Sequence, residues 1–500
     1  IIAGSVGVNK TTSGTVTLSS ANTYSGGTTI NAGTLQVGAG GTTGSLSTSS
    51  AITNNGTIAF NRSNTLTQGT DFASAISGTG ALIQAGSGTL VLSGANTYSG
   101  ATTISAGTLQ IGAGGTTGSL STSSAITNNG ALVFNRSNAV TQGTDFSGAA
   151  ITGSGMIIKQ GSSDATLNNS ANSFSGGVWV QNGTLYANSF GNSGAASFLG
   201  TNGTIKLGST STGGGLRFSN GSPVETTDKV IDLAGTTGGG TITAANATIT
   251  MTSDLAMSGA GSKTLSFNSS GNTNTFNLTF DGLLADVNGV LSVGFSGSGN
   301  GNFLLGNANN SFSGPVTINA NTTGTTTTLS AASFGMTGSN SHLGKNGTIF
   351  IGSSSTTATN ILKYTGTGET SDKNINLSGG PTGGVRIDQS GASGQLVLTG
   401  NITNTGSGTK DLTLQGSTAG TALLSGTIAN SSGGNATNVT KAGTGTWILS
   451  GSNTYTGTTT INAGTLQIGN GATSGSLSTA SAITNNATLA FNRTDTVTQG

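Results

Sequence analysis

The stretch that decides the fold is TLVLSGANTYSGATTISAGTLQIG, Thr89 to Gly112. Near-copies stand at Thr15–Gly38 and Thr446–Gly469, and weaker ones begin near Thr166 and Phe303. Their common core is Asn-x-Tyr/Phe-Ser/Thr-Gly. It occurs at Asn22/Tyr24/Gly26, Asn96/Tyr98/Gly100, Asn172/Phe174/Gly176, Asn310/Phe312/Gly314 and Asn453/Tyr455/Gly457. Between these cores the segments alternate apolar and polar residues, as in Leu90, Leu92, Ile104, Leu109 and Ile111, and Gly or Asn-Gly punctuates each one. That is a strand pattern with turn signals. Helical periodicity is missing, and the Gly and Thr content disfavours helix.

The spacing sets the period. Tyr24 to Tyr98 is 74 residues and Tyr98 to Phe174 is 76, while Phe174 to Phe312 and Phe312 to Tyr455 are 138 and 143, about twice as long. A unit near 74 residues is too long for one coil of a solenoid and divides into about three coils of 24 or so. The second half of the unit recurs as well. GSLSTSSAITNNGTIAFNRSNTLTQGTDF (44–72) returns at 118–146 and again at 475–500. FLGTNGTIKLGS, beginning at Phe198, returns as HLGKNGTIFIGS at His342. Phe312 to Leu329 holds six more residues than Phe174 to Leu185, as an insertion at a solenoid corner would.

Composition narrows the choice. Gly is 87 of 500 residues and Pro only 3, with no Gly-X-Y period, so collagen is excluded. Charged residues are 6%, which closes the charge-rich route to disorder. A flexible Ser/Thr/Gly-rich spacer is the remaining disordered reading, and the fixed apolar positions argue against it. Fifteen basic and fourteen acidic residues give a net charge of +1, with no basic stripe for nucleic acid. Cysteine is absent, so disulfides and Cys-based zinc sites are ruled out. No run of about 20 apolar residues could form a membrane helix. Both ends look cut, and the 500 residues read as a window onto a longer protein.

These features predict an all-β chain forming a right-handed parallel β-helix (β-solenoid) of roughly twenty coils. One continuous solenoid is expected over 1–500, with internal units of about 1–75, 76–150, 151–289, 290–432 and 433–500. Identical positions would stack about 4.8 Å apart, with ladders of Ile, Leu, Val and Phe inside and Asn and Thr at the corners. Like charges stacked at that spacing would repel, which accounts for the low charge count. Within Thr89–Gly112, the Tyr98-Ser99-Gly100 step is read as a corner.

Leu92–Gly112, Gly26–Gly38 and Thr456–Gly469 resemble the passenger-associated transport repeat of autotransporter proteins, and Asn172–Leu185 and Asn310–Ile318 match it in part. The resemblance covers a fifth to a quarter of the chain. It implies a surface-exposed or secreted passenger of a Gram-negative bacterium, exported through a C-terminal outer-membrane β-barrel. The family includes adhesins, aggregation factors, proteases and esterases, so its name does not settle activity.

No cluster reads as a catalytic, cofactor or metal site. Glu225, Asp228 and Asp232 are the nearest to a glycosidase carboxylate set. Alternation sets Asp228 and Asp232 on the outer face, too far apart for the pair, and Glu225 and Asp228 recur as Glu369 and Asp372 while Asp232 recurs as Asn376. His342, the single histidine, aligns with Phe198 and reads as packing. Arg62, Arg136 and Arg493 recur in FNRS or FNRT, to bind an anion or to bond to a neighbouring coil. The GAGGTTGS runs (38–45, 112–119) lack the Lys of a phosphate loop, and Trp179 and Trp447 are isolated. The expected function is therefore non-enzymatic: a stalk-like passenger region for adhesion, aggregation or biofilm. Its partners would be host or bacterial cell-surface molecules, or itself through the uncharged Thr/Asn-rich face. A carbohydrate-active β-helix enzyme and a spacer presenting a distal domain are the alternatives.

Overall fold

The computed structural model describes residues 1–48, 51–73, 75–219, 224–270, 276–320, 322–353, 357–380, 384–431 and 433–497. Asn321, which opens the six-residue insertion, and Thr498–Gly500, which end the final repeat copy, lie outside them. Every helical or extended element among the described residues is a strand, and every strand pairing is parallel. The chain divides into two compact units, residues 1–222 with 226–238, and 223–225 with 239–500. Each is a parallel β-solenoid, and together they hold about 18 turns.

In the first unit, successive coils stack their strands in register. Leu66, Leu90, Leu109, Leu132, Ile157, Val178, Ile205 and Ile231 form one inward column. None exceeds 2% exposure. Alternation is what puts them there, because side chains along a strand point to opposite faces and a parallel ladder without slippage keeps like over like. The second unit repeats the device with Leu265, Val293, Val316, Ile349, Ile375, Ile402 and Ile428. Aromatic rings stack likewise, with Phe267 over Phe295 at 5.5 Å and an interplanar angle of 19°. Fully burying each such aliphatic side chain is worth roughly 1.5–3 kcal/mol, so the core of every coil depends on the coils above and below it.

The 74-residue repeat is not a whole number of coils. Thr28–Ile30 pairs with Ile52–Asn54, which pairs with Ile76–Ser77. Thr97 then donates to the Ile76 carbonyl at 2.9 Å, completing the third coil. Thr102, the repeat equivalent of Thr28, lies five residues further on, in the next sheet. One repeat is thus three coils and one face. Consequently Thr28–Ile30 lies in a sheet of four strands, its copy Thr102–Ile104 in a sheet of six, and its third copy Val178–Val180 in a sheet of eight. Identical sequence is carried around the solenoid by one face per repeat.

The Tyr98-Ser99-Gly100 step ends in the expected corner, a bend at Gly100 that passes the chain to the next sheet at Thr102, but the residues before it still belong to a ladder. Ser99 donates to the Gly78 carbonyl at 2.9 Å, so residues 97–99 continue a ladder. Tyr98 is 0% exposed, and its hydroxyl bonds Thr102 Oγ1 at 2.7 Å. A ring of that size can be buried only because its polar end finds a partner. Tyr24 and Tyr455 make the same bond to Thr28 and Thr459. Gly100 lies against the coil below. A Cβ there would come within 2.4 Å of the Gly80 backbone, so no larger residue fits. The inserted stretch after Phe312 does form a turn, closed by Thr325 N–H to the Thr322 carbonyl between the strands Val316–Ala320 and Thr326–Ala331.

The motif asparagines join three coils. Asn96 Oδ1 accepts from Ile76 N at 3.0 Å in the coil below, and its Nδ2 donates to the Ser119 carbonyl at 3.1 Å in the coil above. Asn172 bridges Ile151 N and the Phe198 carbonyl, Asn310 bridges Leu284 N and the His342 carbonyl, and Asn453 bridges Ile428 N and the Ser476 carbonyl. Asn22 does the same between Ile2 and Ser45. The glutamine of the TQGTDF loop joins in, as Gln68 and Asn96 exchange amide hydrogen bonds of 2.7 and 3.1 Å.

Removing such an amide strands a buried donor in one coil and a buried acceptor in the other, at about 1–3 kcal/mol each. Asn96→Ala should therefore lower stability by about 3 kcal/mol, read as a shift of the urea midpoint, and Gly100→Ala should also destabilise. Asn31→Ala removes only an exposed bond to Asn9 and should stay within ~0.5 kcal/mol. Equal midpoints for Asn96→Ala and Asn31→Ala would contradict the three-coil clamp.

Candidate functional site

Of the carboxylates singled out in the sequence, Asp228, Asp372 and Glu369 are tied to backbone. Asp228 is exposed and accepts the Ser193 N–H at 2.6 Å. In the second copy Asp372 accepts the Thr337 N–H at 2.6 Å, and that bond holds its carboxyl below the usual range. Glu369 accepts from Ser333 Oγ at 2.7 Å, Phe334 N at 2.5 Å and Gly335 N at 3.3 Å. These groups close the loops before the FLGTNG and HLGKNG segments. Asp232, expected on the open outer face, is instead 4% exposed, with Lys206 as its neighbour in the ladder. The strand Val230–Leu233 is therefore covered on its outer side at that point, while Glu225 is half-buried. A general acid must be free to exchange its proton with a substrate. Asp228 and Asp372 are committed to amides.

His342 is half-buried, and its carbonyl accepts the Asn310 clamp bond just as the Phe198 carbonyl accepts that of Asn172. Burial lowers its pKa. Trp447 is fully buried with Nε1 on the Gln415 carbonyl at 2.9 Å, and Trp179 is half-buried with Nε1 on the Gly208 carbonyl at 2.8 Å.

The recurrent arginines and the Gly-rich runs are one device. Arg136 lies one coil beyond the 112–119 loop and donates to the Gly118 carbonyl at 3.0 Å, to Asp145 at 2.8 Å and to Asn138 at 2.8 Å. Arg62 holds the Gly44 and Thr42 carbonyls at 2.7 and 2.5 Å, and Arg493 holds those of Gly475 and Thr473 at 2.6 Å each. Gly112, at φ +84°, adopts a conformation closed to most side chains, and a Cβ on it would meet Arg136 Cγ at 2.5 Å. Loop carbonyls and neighbouring side chains thus occupy the guanidinium that an anion would have used.

Sequence reasoning missed a set of buried lysines. Lys10, Lys159, Lys229, Lys263, Lys373, Lys410 and Lys441 are each at most 4% exposed. Lys441 donates to the Ala442, Gly443 and Ala463 carbonyls at 2.8, 2.8 and 3.0 Å, which satisfies all three ammonium hydrogens. Lys10, Lys159 and Lys441 stand twelve or thirteen residues before a motif asparagine, and Gln84 takes the place in the Asn96 copy, capping Gly86 and Gly88. The Lys/Gln interchange was the available signal, since it points to a donor and not to a charge. Desolvation lowers Lys159, Lys373 and Lys441 to about 8. Among the described residues, no group of three or more His, Cys, Asp or Glu is placed to hold a metal ion.

The passenger-associated-transport-repeat family matches residues 8–37, 82–111, 157–187, 298–320 and 439–468. The first, second, third and fifth of these intervals each open at or just before the capping Lys or Gln and run through the motif asparagine and the strands that follow. The chain is also similar to the Adhesin BmaC autotransporter of Brucella suis biovar 1 (strain 1330), at 32% identity over 463 residues. That match covers 86% of this chain and 13% of the adhesin, so the chain spans about an eighth of its relative's length. No solved structure matches the chain.

The buried lysines and tyrosines set opposite pH trends. A lysine whose folded pKa is about 8 binds fewer protons folded than unfolded until the unfolded lysines deprotonate near 10.5. Stability should rise from pH 8 to about 10. Tyr98, Tyr364 and Tyr455 are pushed above 10.0 by burial, so ionisation of the unfolded tyrosines should lower stability beyond pH 10. Thermal melts from pH 7 to 11 should show this maximum, and Lys441→Gln should flatten the rise. A melting temperature that falls steadily from pH 7 would contradict the assignment.

Proposed function

We propose that the chain, which carries the passenger-associated transport repeat and is similar to an autotransporter adhesin, is a non-enzymatic autotransporter passenger stalk displayed on the bacterial surface in the service of adhesion. The observation that carries this reading is the correspondence between the matched repeat and the physical unit of stacking. The repeat contains the amide clamp, the buried ring and the close-contact glycine, which are the parts that seat one coil on the next. A segment made of such parts extends by addition and holds its outer faces at fixed spacing, so it presents surface. Asp228, Asp372, Glu369 and the recurrent arginines are engaged in closing loops. Similarity to a protein named as an adhesin supports the choice of adhesion over catalysis.

On this reading the chain lies outside the cell, joined in its full-length form to a barrel in the outer membrane. Its partners are molecules of host or bacterial surfaces. The sparsely charged outer faces permit contact between copies, since few like charges oppose it. Anchoring a distal domain is compatible with the same role.

Antibodies raised against the 500-residue chain should label intact cells of the organism that makes it, and external protease should remove the label. In-frame deletion of the segment should lower adherence to host cells several-fold while leaving the remaining protein on the surface. Label only after permeabilisation would refute surface display. Unchanged adherence would refute the adhesive role and leave the spacer.

A further inference from the structure

The second unit carries a groove that the stacking motif does not explain. It lies on the outer face of three successive strands, Lys263–Ser270, Leu291–Gly297 and Val316–Ala320, and encloses about 390 Å³. That volume falls at the lower end of the range for small-ligand sites. The columns are fixed by register: Ser266, Gly294 and Thr317 form one, and Ser296 and Asn319 the next. Gly294 makes the depression, as it is the member of its column that lacks a side chain. Phe350 stands one rung beyond Thr317, half-buried.

The lining limits what could bind. Among the described residues it consists of hydroxyls, an amide, the Pro315 ring and backbone, with no charged side chain. An ionic ligand would lose hydration without meeting a counter-charge, and a hydrocarbon would leave the hydroxyls unpaired. Asn319 Oδ1 is buried and accepts no hydrogen bond among the described residues. A buried acceptor of this kind is costly until a donor reaches it. A neutral polyhydroxyl compound supplies donors and acceptors together, and its C–H face can lie on the Pro315 ring. We propose that this groove binds one or two rings of a neutral saccharide, with Asn319 and the flanking hydroxyls reading its hydroxyl groups. The proposal goes beyond surface display and can fail or hold independently of it.

The test uses the 500-residue chain and a panel of glucose, galactose, mannose, N-acetylglucosamine and their disaccharides, followed by saturation-transfer NMR and titration. Sialyllactose and a heparin tetrasaccharide serve as anionic comparators. Gly294→Trp fills the groove, and a Cβ there has room, with its nearest neighbour, Ser266 Oγ, at 3.5 Å. At least one neutral sugar should bind, and Gly294→Trp should weaken it at least tenfold with an unchanged melting temperature. Asn319→Ala should weaken it as well, and decides the matter if Gly294→Trp does not fold. No binding by any neutral sugar, binding by the anionic compounds alone, or equal affinity in the variants would overturn the proposal.

Discussion

The structure depends on hydrogen bonding between a coil and the coils on either side of it. Backbone ladders supply most of these bonds, as in any parallel sheet. What is particular here is that side-chain amides do so at the point where the chain leaves the ladder. Asn96, Asn172, Asn310 and Asn453 each accept from one neighbour and donate to the other. A backbone group buried at a bend would otherwise lack a partner. Lys441 and its equivalents serve the same end with an ammonium group, and Arg136 does so with a guanidinium. Few charges remain to be solvated at the surface, because many of the cations are turned inward onto carbonyls.

This constraint links composition to fold. Stacking at one rung spacing tolerates repeated Thr, Ser, Asn and Gly and penalises repeated charge. It also explains why the repeat length need not equal a whole number of coils. The clamp requires only a coil above and a coil below, so a unit of three coils and one face is as serviceable as one of three. The result is that copies of one sequence occupy different sheets, Thr28–Ile30 in one and Thr102–Ile104 in the next.

The fold was legible in the sequence because strand alternation and the solenoid repeat are both periodic. Ile104, Leu109 and Ile111 point inward as alternation requires, each at 0% exposure. The step at Tyr98 reads as a corner, and the chain does bend at Gly100, but the Asn, Ser and Gly beside Tyr98 hide that the tyrosine itself lies in a ladder with its ring inside. Its ring is held inside by a hydroxyl bond to Thr102, and pairwise sequence comparison does not reveal such a bond. The buried lysines were illegible for a similar reason, since a charged residue is expected outside unless its partners are known. Of the residues weighed as a site, Arg136 and the Gly112 loop proved to be parts of one contact, which required the coil spacing to be known. The groove at Gly294 has no motif at all. It arises from one missing side chain within the column of Ser266 and Thr317, beside the column of Ser296 and Asn319.

The central claim is that the motif asparagine joins its own coil to both neighbours. Amide hydrogen exchange on the intact chain and on Asn96→Ala tests it most directly. The account predicts that Asn96→Ala loses protection together around Ile76 and around Ser119, the two partners of the amide, while coils of the second unit keep theirs. Loss confined to residues adjoining Asn96 in sequence, with Ile76 and Ser119 as protected as before, would contradict it.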